Sequence, residues 1–151
     1  MAANSQFIMA IHICVAVGYI EKHHGSENPN EEYLVKSNIL AGSVNTNPGL
    51  IRRIIAQLVH ANLIQSFEGR NGGFKLAVSP QKISLWDIYL AIGEQCFFAL
   101  NPNLPNKKCP ISRNIVTLVE EVFDQVHDQV KGKLKSITII DLIKKIERVE
   151  S

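Results

Sequence analysis

Cysteine is scarce in this chain. The three thiols, Cys14, Cys96 and Cys109, are odd in number and too few for a disulfide framework. The apolar stretch 8–20 contains His12 and lacks a basic flank and a small-residue cleavage site, so it reads as a buried helix and not as a signal peptide. Both absences lead to the expectation of a cytoplasmic protein with reduced thiols. Long hydrophobic runs are missing too: none approaches the roughly 20 apolar residues that cross a bilayer, and no membrane partner is expected. No P-loop, dinucleotide-binding glycine motif or Gly-x-Ser-x-Gly elbow occurs, and Asp87 and Glu94 stand near no evident nucleophile, so an enzyme is not expected. His12, His23, His24 and His60 follow no metal-ligand spacing. No metal site is expected.

What is present is ordinary globular material, 46% apolar and 20% charged, enough to build a real core in one compact domain with an appendage. Net charge is only +2, but it is unevenly spread. Between residues 36 and 82, Lys36, Arg52, Arg53, Arg70, Lys75 and Lys82 meet a single acid, Glu68, a local balance of +5. Residues 83–151 carry nine bases and nine acids. The first region is a candidate electropositive surface for a polyanion.

Residues 7–20 hold apolar side chains on two faces, Phe7, Ile11 and Cys14 on one and Ile8, Val15 and Tyr19 on the other, predicting a helix covered on both sides. The polar stretch 23–32 reads as a loop. A short helix is expected over 32–41, with Leu34, Val35, Ile39 and Leu40 as its contacts and Gly42 as its end. Asn47 followed by Pro48 is a strong helix start, because Asn caps free amides and Pro is tolerated at the first helical position. The helix it opens runs to about residue 61. Leu50, Ile51, Ile54, Ile55 and Leu58 form one face, and Arg52, Arg53, Ala56, Gln57 and His60 the other. Residues 63–68 and 74–78 read as strands about a glycine-rich turn, 69–73. Helices over 85–94, 112–133 and 137–149 follow, separated by a proline-bearing loop, 97–110.

Helix, turn, capped helix and glycine-tipped hairpin, in that order, predict a mainly α fold with a small β-hairpin wing. This is a winged helix-turn-helix over residues 1–82, followed by a helical region over 83–151. The physics of DNA reading gives each part a task. A helix entering the major groove by its N-terminal end needs short polar groups or long donors there. Thr46, Asn47, Arg52 and Arg53 meet that need. A thin wing tip lets Arg70, with Asn71 beside it, reach the minor groove. Lys36, Ser37 and Lys75 are candidate phosphate contacts, which position the duplex without reading it.

The run Thr46-Asn47-Pro48-Gly49-Leu50-Ile51-Arg52-Arg53, then Leu58-Val59-His60-Ala61-Asn62-Leu63-Ile64, Gly69-Arg70-Asn71-Gly72-Gly73-Phe74-Lys75-Leu76-Ala77 and Ile83-Ser84-Leu85-Trp86-Asp87-Ile88-Tyr89 resembles the IscR/NsrR/CymR family of bacterial winged-helix transcription regulators. The likeness covers about residues 5–95. It implies a regulator of transcription, a repressor by expectation, that binds double-stranded DNA as a homodimer. The region 83–151 would then serve dimerisation and sensing, its long helix crossing that of the partner, and the second apolar face of the first helix would be partly an inter-subunit surface.

Several members of that family hold an iron–sulfur cluster on three closely spaced cysteines, joined in some by a carboxylate near the start of the first helix. This chain has only Cys96 and Cys109 in that loop, with twelve residues between them, and Ile8 at the carboxylate position. A cluster is normally tied by four protein ligands, so none is expected, and the run 101–110 resembles the cluster-free YwnA-like branch. Three alternatives stay open. One is a thiol-redox sensor using Cys109, which precedes a helix beside Lys107 and Lys108, with Cys96. The others are a metal- or cluster-dependent sensor and a winged-helix protein-interaction module. The effector is left open.

Overall fold

The computed structural model describes residues 4–27, 30, 32–93 and 97–151. In order, the elements are α1 (Asn4–Glu27), α2 (Ser37–Val44), α3 (Pro48–His60), β1 (Ile64–Phe67), β2 (Gly73–Leu76), a 3₁₀ turn at Pro80–Lys82, α4 (Leu85–Ala91), α5 (Pro110–Lys135) and α6 (Ile139–Glu150). The packing divides into two units, Met1–Glu94 with Lys135–Ser151, and Gln95–Leu134.

The centre of the first unit is α1, which packs against α2, α3, α4, α6 and β2. Ala10, Ile13, Cys14 and Val17 are wholly buried there. A Cβ on Gly18 would stand 3.0 Å from Ile143 Cδ1 and 3.1 Å from Leu76 Cδ1, so this glycine is what lets α6 and β2 approach the helix. The helix runs further than residue 20. His23, His24 and Gly25 are helical, because Lys22 Nζ pairs with Glu147 at 2.7 Å, His23 lies 3.5 Å from the same carboxylate, and the Tyr19 and His23 rings meet at 4.2 Å with planes tilted by 38°. Part of the second apolar face of α1 is therefore covered by α6 of the same chain.

The second helix begins later than its apolar pattern suggests. Val35 is extended: its N–H donates to Phe74 O at 2.9 Å and its carbonyl accepts from Phe74 N at 2.8 Å, adding a rung to the β1–β2 hairpin. This long-range pairing displaces the start of α2 to Ser37. Gly42 lies inside the helix, which ends instead at Asn45, in the left-handed region at φ 60°. Asn tolerates that conformation better than other non-glycine residues.

Strands β1 and β2 are antiparallel, with Ile64 opposite Leu76 and Phe67 opposite Gly73. The turn between them is closed so tightly that a Cβ on Gly72 would lie 2.1 Å from Phe67 O, and one on Gly73 would lie 2.8 Å from Val35 O. Only glycine fits at either position.

Ser84 and Asp87 form a capping box at the start of α4, and Thr138 and Asp141 form another at the start of α6. The two caps are joined: Leu85 N donates to Ile137 O and Ile139 N to Ile83 O, each at 2.9 Å, so Ser84 and Thr138 pair as an antiparallel bridge. With Ile83, Ile88, Ile139 and Ile143 wholly buried, α4 and α6 belong to the same compact unit as residues 1–82, and the packing does not break at residue 82. Helix, turn, helix and hairpin on this core make a winged helix-turn-helix. In the second unit, α5 has no buried residue, and Phe98 and Phe123 face each other at 4.6 Å. Among the described residues no helix is long and apolar enough to cross a membrane.

Candidate nucleic-acid interface

The amphipathic pattern of α3 decides which side of it meets a partner. Ile51, Ile54, Ile55 and Leu58 are buried, and each fully buried side chain of this size contributes roughly 1.5–3 kcal/mol. The helix cannot turn that face outward, so Arg52, Arg53, Ala56 and His60 stay in solvent. Leu50 is half-buried.

At the N-terminal end Asn47 is the cap, with Oδ1 accepting from Leu50 N at 2.8 Å, and Pro48 takes the first helical position. The cap holds the oxygen of Asn47, leaving its amide N–H groups for a partner. A Cβ on Gly49 would stand 3.2 Å from that oxygen, so a small residue there favours the cap. Thr46, half-buried, donates its N–H to Ala41 O at 3.3 Å in the turn between α2 and α3.

The wing brings a second group of predicted residues together. Lys36, Ser37, Asn38, Arg70 and residues of the turn line a cleft of about 630 Å³ between the start of α2 and the hairpin tip. Lys36 Nζ donates to Gly72 O and, at 3.2 Å, to Arg70 O. The Arg70 and Asn71 side chains are exposed at the tip. Asn38, absent from the expected set, also lines the cleft.

Lys75 is drawn elsewhere. Its ammonium pairs with Glu32 and sits 5.2 Å from the Phe67 ring centroid, in a separate hollow with Glu21, Tyr33 and Leu76. Glu21 accepts from Leu76 N at 2.8 Å. Burial pushes the Glu21 carboxyl upward, the Leu76 bond and Lys75 draw it down, and the Glu32 charge raises it again, for a net rise. No local signal marks Glu32 as the partner of Lys75.

Cys109 is half-buried, one residue before α5, and donates its N–H to Asn106 O at 3.1 Å. Cys96 lies outside the described residues. Cys14 is interior, and burial pushes its thiol up to about 12.

A family model matches residues 4–145, that of the Rrf2 family, described as an iron-dependent transcriptional regulator. The chain belongs to the Rrf2 family. This is a family of transcriptional regulators and not of enzymes, and IscR and CymR share its fold. Over 141 residues the chain is 34% identical to YwnA of Bacillus subtilis (strain 168), provisionally named an HTH-type transcriptional regulator, covering 93% of this chain and 96% of that protein. A crystal structure of a protein provisionally called DNA-binding superposes with a TM-score of 0.68 at 29% identity, over 91% of this chain and 98% of that one. The cysteine regulator CymR of B. subtilis, 18% identical, has the same fold, with a TM-score of 0.65 over 93% of this chain and 94% of its own. The Rrf2 likeness takes in both the α3 arginine face and the wing.

Proposed function

We propose that this protein binds specific double-stranded DNA sequences as a homodimer and represses transcription. The observation that carries the reading is the split of α3, with Ile51, Ile54, Ile55 and Leu58 buried and Arg52 and Arg53 in solvent behind a capped, exposed N-terminal end. A helix so placed enters a major groove, where arginine pairs bidentately with guanine. Arg70 and Asn71 at the thin wing tip suit the adjacent minor groove. Ser37, Thr46 and the Asn47 amide suit phosphates or base edges. Lys36 and Lys75 support the wing from within. Repression then needs only occupancy, since a dimer on promoter DNA excludes other proteins.

Two uncovered apolar surfaces support the dimer. On α5, Ile111, Ile115, Leu118, Val122 and Val126 are exposed at spacings of three and four residues, a single stripe on a helix with no buried residue. In the first unit, Ile8, Ile146 and Val149 are exposed and, with Ile11, Leu142 and the buried Val15, line an open groove of about 490 Å³ between α1 and α6.

Selection from random duplex DNA at low salt tests the function. The expected product is an inverted repeat whose half-sites lie about one helical turn apart. A pool without enrichment overturns it. Sedimentation tests the dimer: the native protein should run as a dimer and Leu118→Asp as a folded monomer.

We further propose that the protein works without an iron–sulfur cluster, in contrast to the iron dependence in its family's description. The donor set supports this. Among the described residues no three His, Cys, Asp or Glu side chains converge. Ile8 has no donor atom, and the Cys14 thiol is buried and held protonated. Iron and acid-labile sulfide should be substoichiometric in protein purified without oxygen. One cluster per chain overturns this part alone.

A further inference from the structure

One face of α5 carries Glu120, Phe123, Asp124 and His127, three and four residues apart, so that all four stand together on the helix surface. Phe97, Phe98 and Leu100 lie against this face, and the seven side chains line a cavity of about 230 Å³. The Phe98 and Phe123 rings are 4.6 Å apart, with planes 31° from parallel; those of Phe97 and His127 are 5.7 Å apart at 48°. Phe97 and Phe98 remain 40% and 47% exposed, so the rings are accessible from solvent.

Apolar walls alone would take any hydrophobic ligand, but the carboxylates restrict the choice. Among the described residues neither Glu120 nor Asp124 makes an ion pair. One turn apart on the same helix, their like charges repel. The faces of the phenyl rings are also electron-rich. Rings and carboxylates therefore favour the same ligand, a positive charge with an apolar skin. Among the described residues a metal ion would find no set of three His, Cys, Asp or Glu ligands, and a bare ammonium would give up part of its hydration against Phe97, Phe98 and Leu100. A neutral ligand would leave the two carboxylates unrelieved. A quaternary or methylated ammonium spreads its charge over methyl groups and needs no hydrogen bond, which matches this lining.

The connection that leads into α5 is ordered by its own side chains. Asn101 Oδ1 accepts from Asn103 N at 3.0 Å, Asn106 Oδ1 from Lys108 N at 3.0 Å, and Ser112 Oγ from Asn106 N at 2.8 Å. We propose that this pocket is a binding site for a small organic cation of the methylated-ammonium class.

Calorimetric titration of the full chain with choline, set against its uncharged isostere 3,3-dimethylbutan-1-ol, tests the proposal. Choline should bind saturably, one per chain, and the alcohol about tenfold more weakly or worse. Glu120→Gln with Asp124→Asn should bring choline down to the level of the alcohol. Phe98→Leu, which keeps the bulk and removes the ring, should weaken choline several-fold. Because Phe98, Glu120 and Asp124 are exposed, circular dichroism should be unchanged in these variants; if one fails to fold, the two-ligand comparison on the native chain decides. Equal affinity for choline and the alcohol overturns the proposal, as does the absence of saturable choline binding. A pocket closed to choline in the native protein but open in the Leu118→Asp monomer also overturns it, by making this face a subunit contact. None of these readouts involves DNA, so the result is independent of the DNA-binding reading.

Discussion

The ammonium of Lys36 and the carbonyl of Gly72 are joined by a hydrogen bond that ties the entry of α2 to the tip of the wing, and the Arg70 carbonyl takes a second bond from the same ammonium at 3.2 Å. Lys36 is thereby turned toward the protein's own backbone, while the neighbouring Arg70 side chain is left free in solvent. The residue positions the arginine that reaches outward.

Lys36→Met should therefore weaken DNA binding while leaving its salt dependence unchanged. Loss of a direct phosphate contact would lower the slope of log affinity against log salt by about 0.9; loss of a tether would not. In the free protein, amide exchange at Gly72, whose N–H donates to Gly69 O at 3.0 Å, should quicken, and Lys36→Arg should restore part of the protection. A slope reduced by one contact would return Lys36 to the phosphate-binding set.

Arg52→Ala should relax base preference at one position of each half-site, by about 1–3 kcal/mol of discrimination. Competition between the selected site and single-base variants measures it. An unaltered preference would move the reading role to Arg53 or to the turn before α3.

The fold was legible wherever its causes are local. Asn47-Pro48 marks the start of α3 through cap chemistry confined to four residues, and the glycines mark the hairpin because the turn leaves no room for a side chain at 72 and 73 and takes a positive φ of 99° at 69. What could not be read depends on distant partners. Val35 has the pattern of a helix yet pairs with Phe74 as a strand, and α1 continues past residue 20 because Glu147 holds Lys22 and His23. Lys75 looks like a free cation until Glu32, 43 positions away, stands beside it. The ring-and-carboxylate cavity is illegible for the same reason, since Phe97 meets α5 only in three dimensions.

Asn47→Ala should cost about 1 kcal/mol of stability by removing the acceptor for Leu50 N, with Asn47→Asp retaining most of it. Urea unfolding measures the difference. A loss of DNA affinity in Asn47→Asp without loss of stability would assign the Asn47 amide a direct contact as well.

Glu21 gives a pH dependence with a defined sign. Its carboxyl is raised from the ordinary 4.5, chiefly by burial, so the fold holds that proton more tightly than the unfolded chain does. The stability it contributes is complete below the ordinary value and is lost as pH rises through the folded one. Glu21→Gln keeps an oxygen for Leu76 N and removes the ionisation. Its urea midpoint should match that of the native protein near about pH 4 and exceed it toward about pH 7. Equal midpoints throughout would mean that the Leu76 bond and Lys75 together fully offset the burial.

The pairing of Ser84 with Thr138 brings the starts of α4 and α6 side by side within one unit, although the separate unit 95–134 lies between them in the sequence. A unit inserted in this way can be exchanged without recutting the rest of the chain. Replacing residues 95–134 by the corresponding stretch of a relative accordingly leaves that pairing and the capping boxes of α4 and α6 intact.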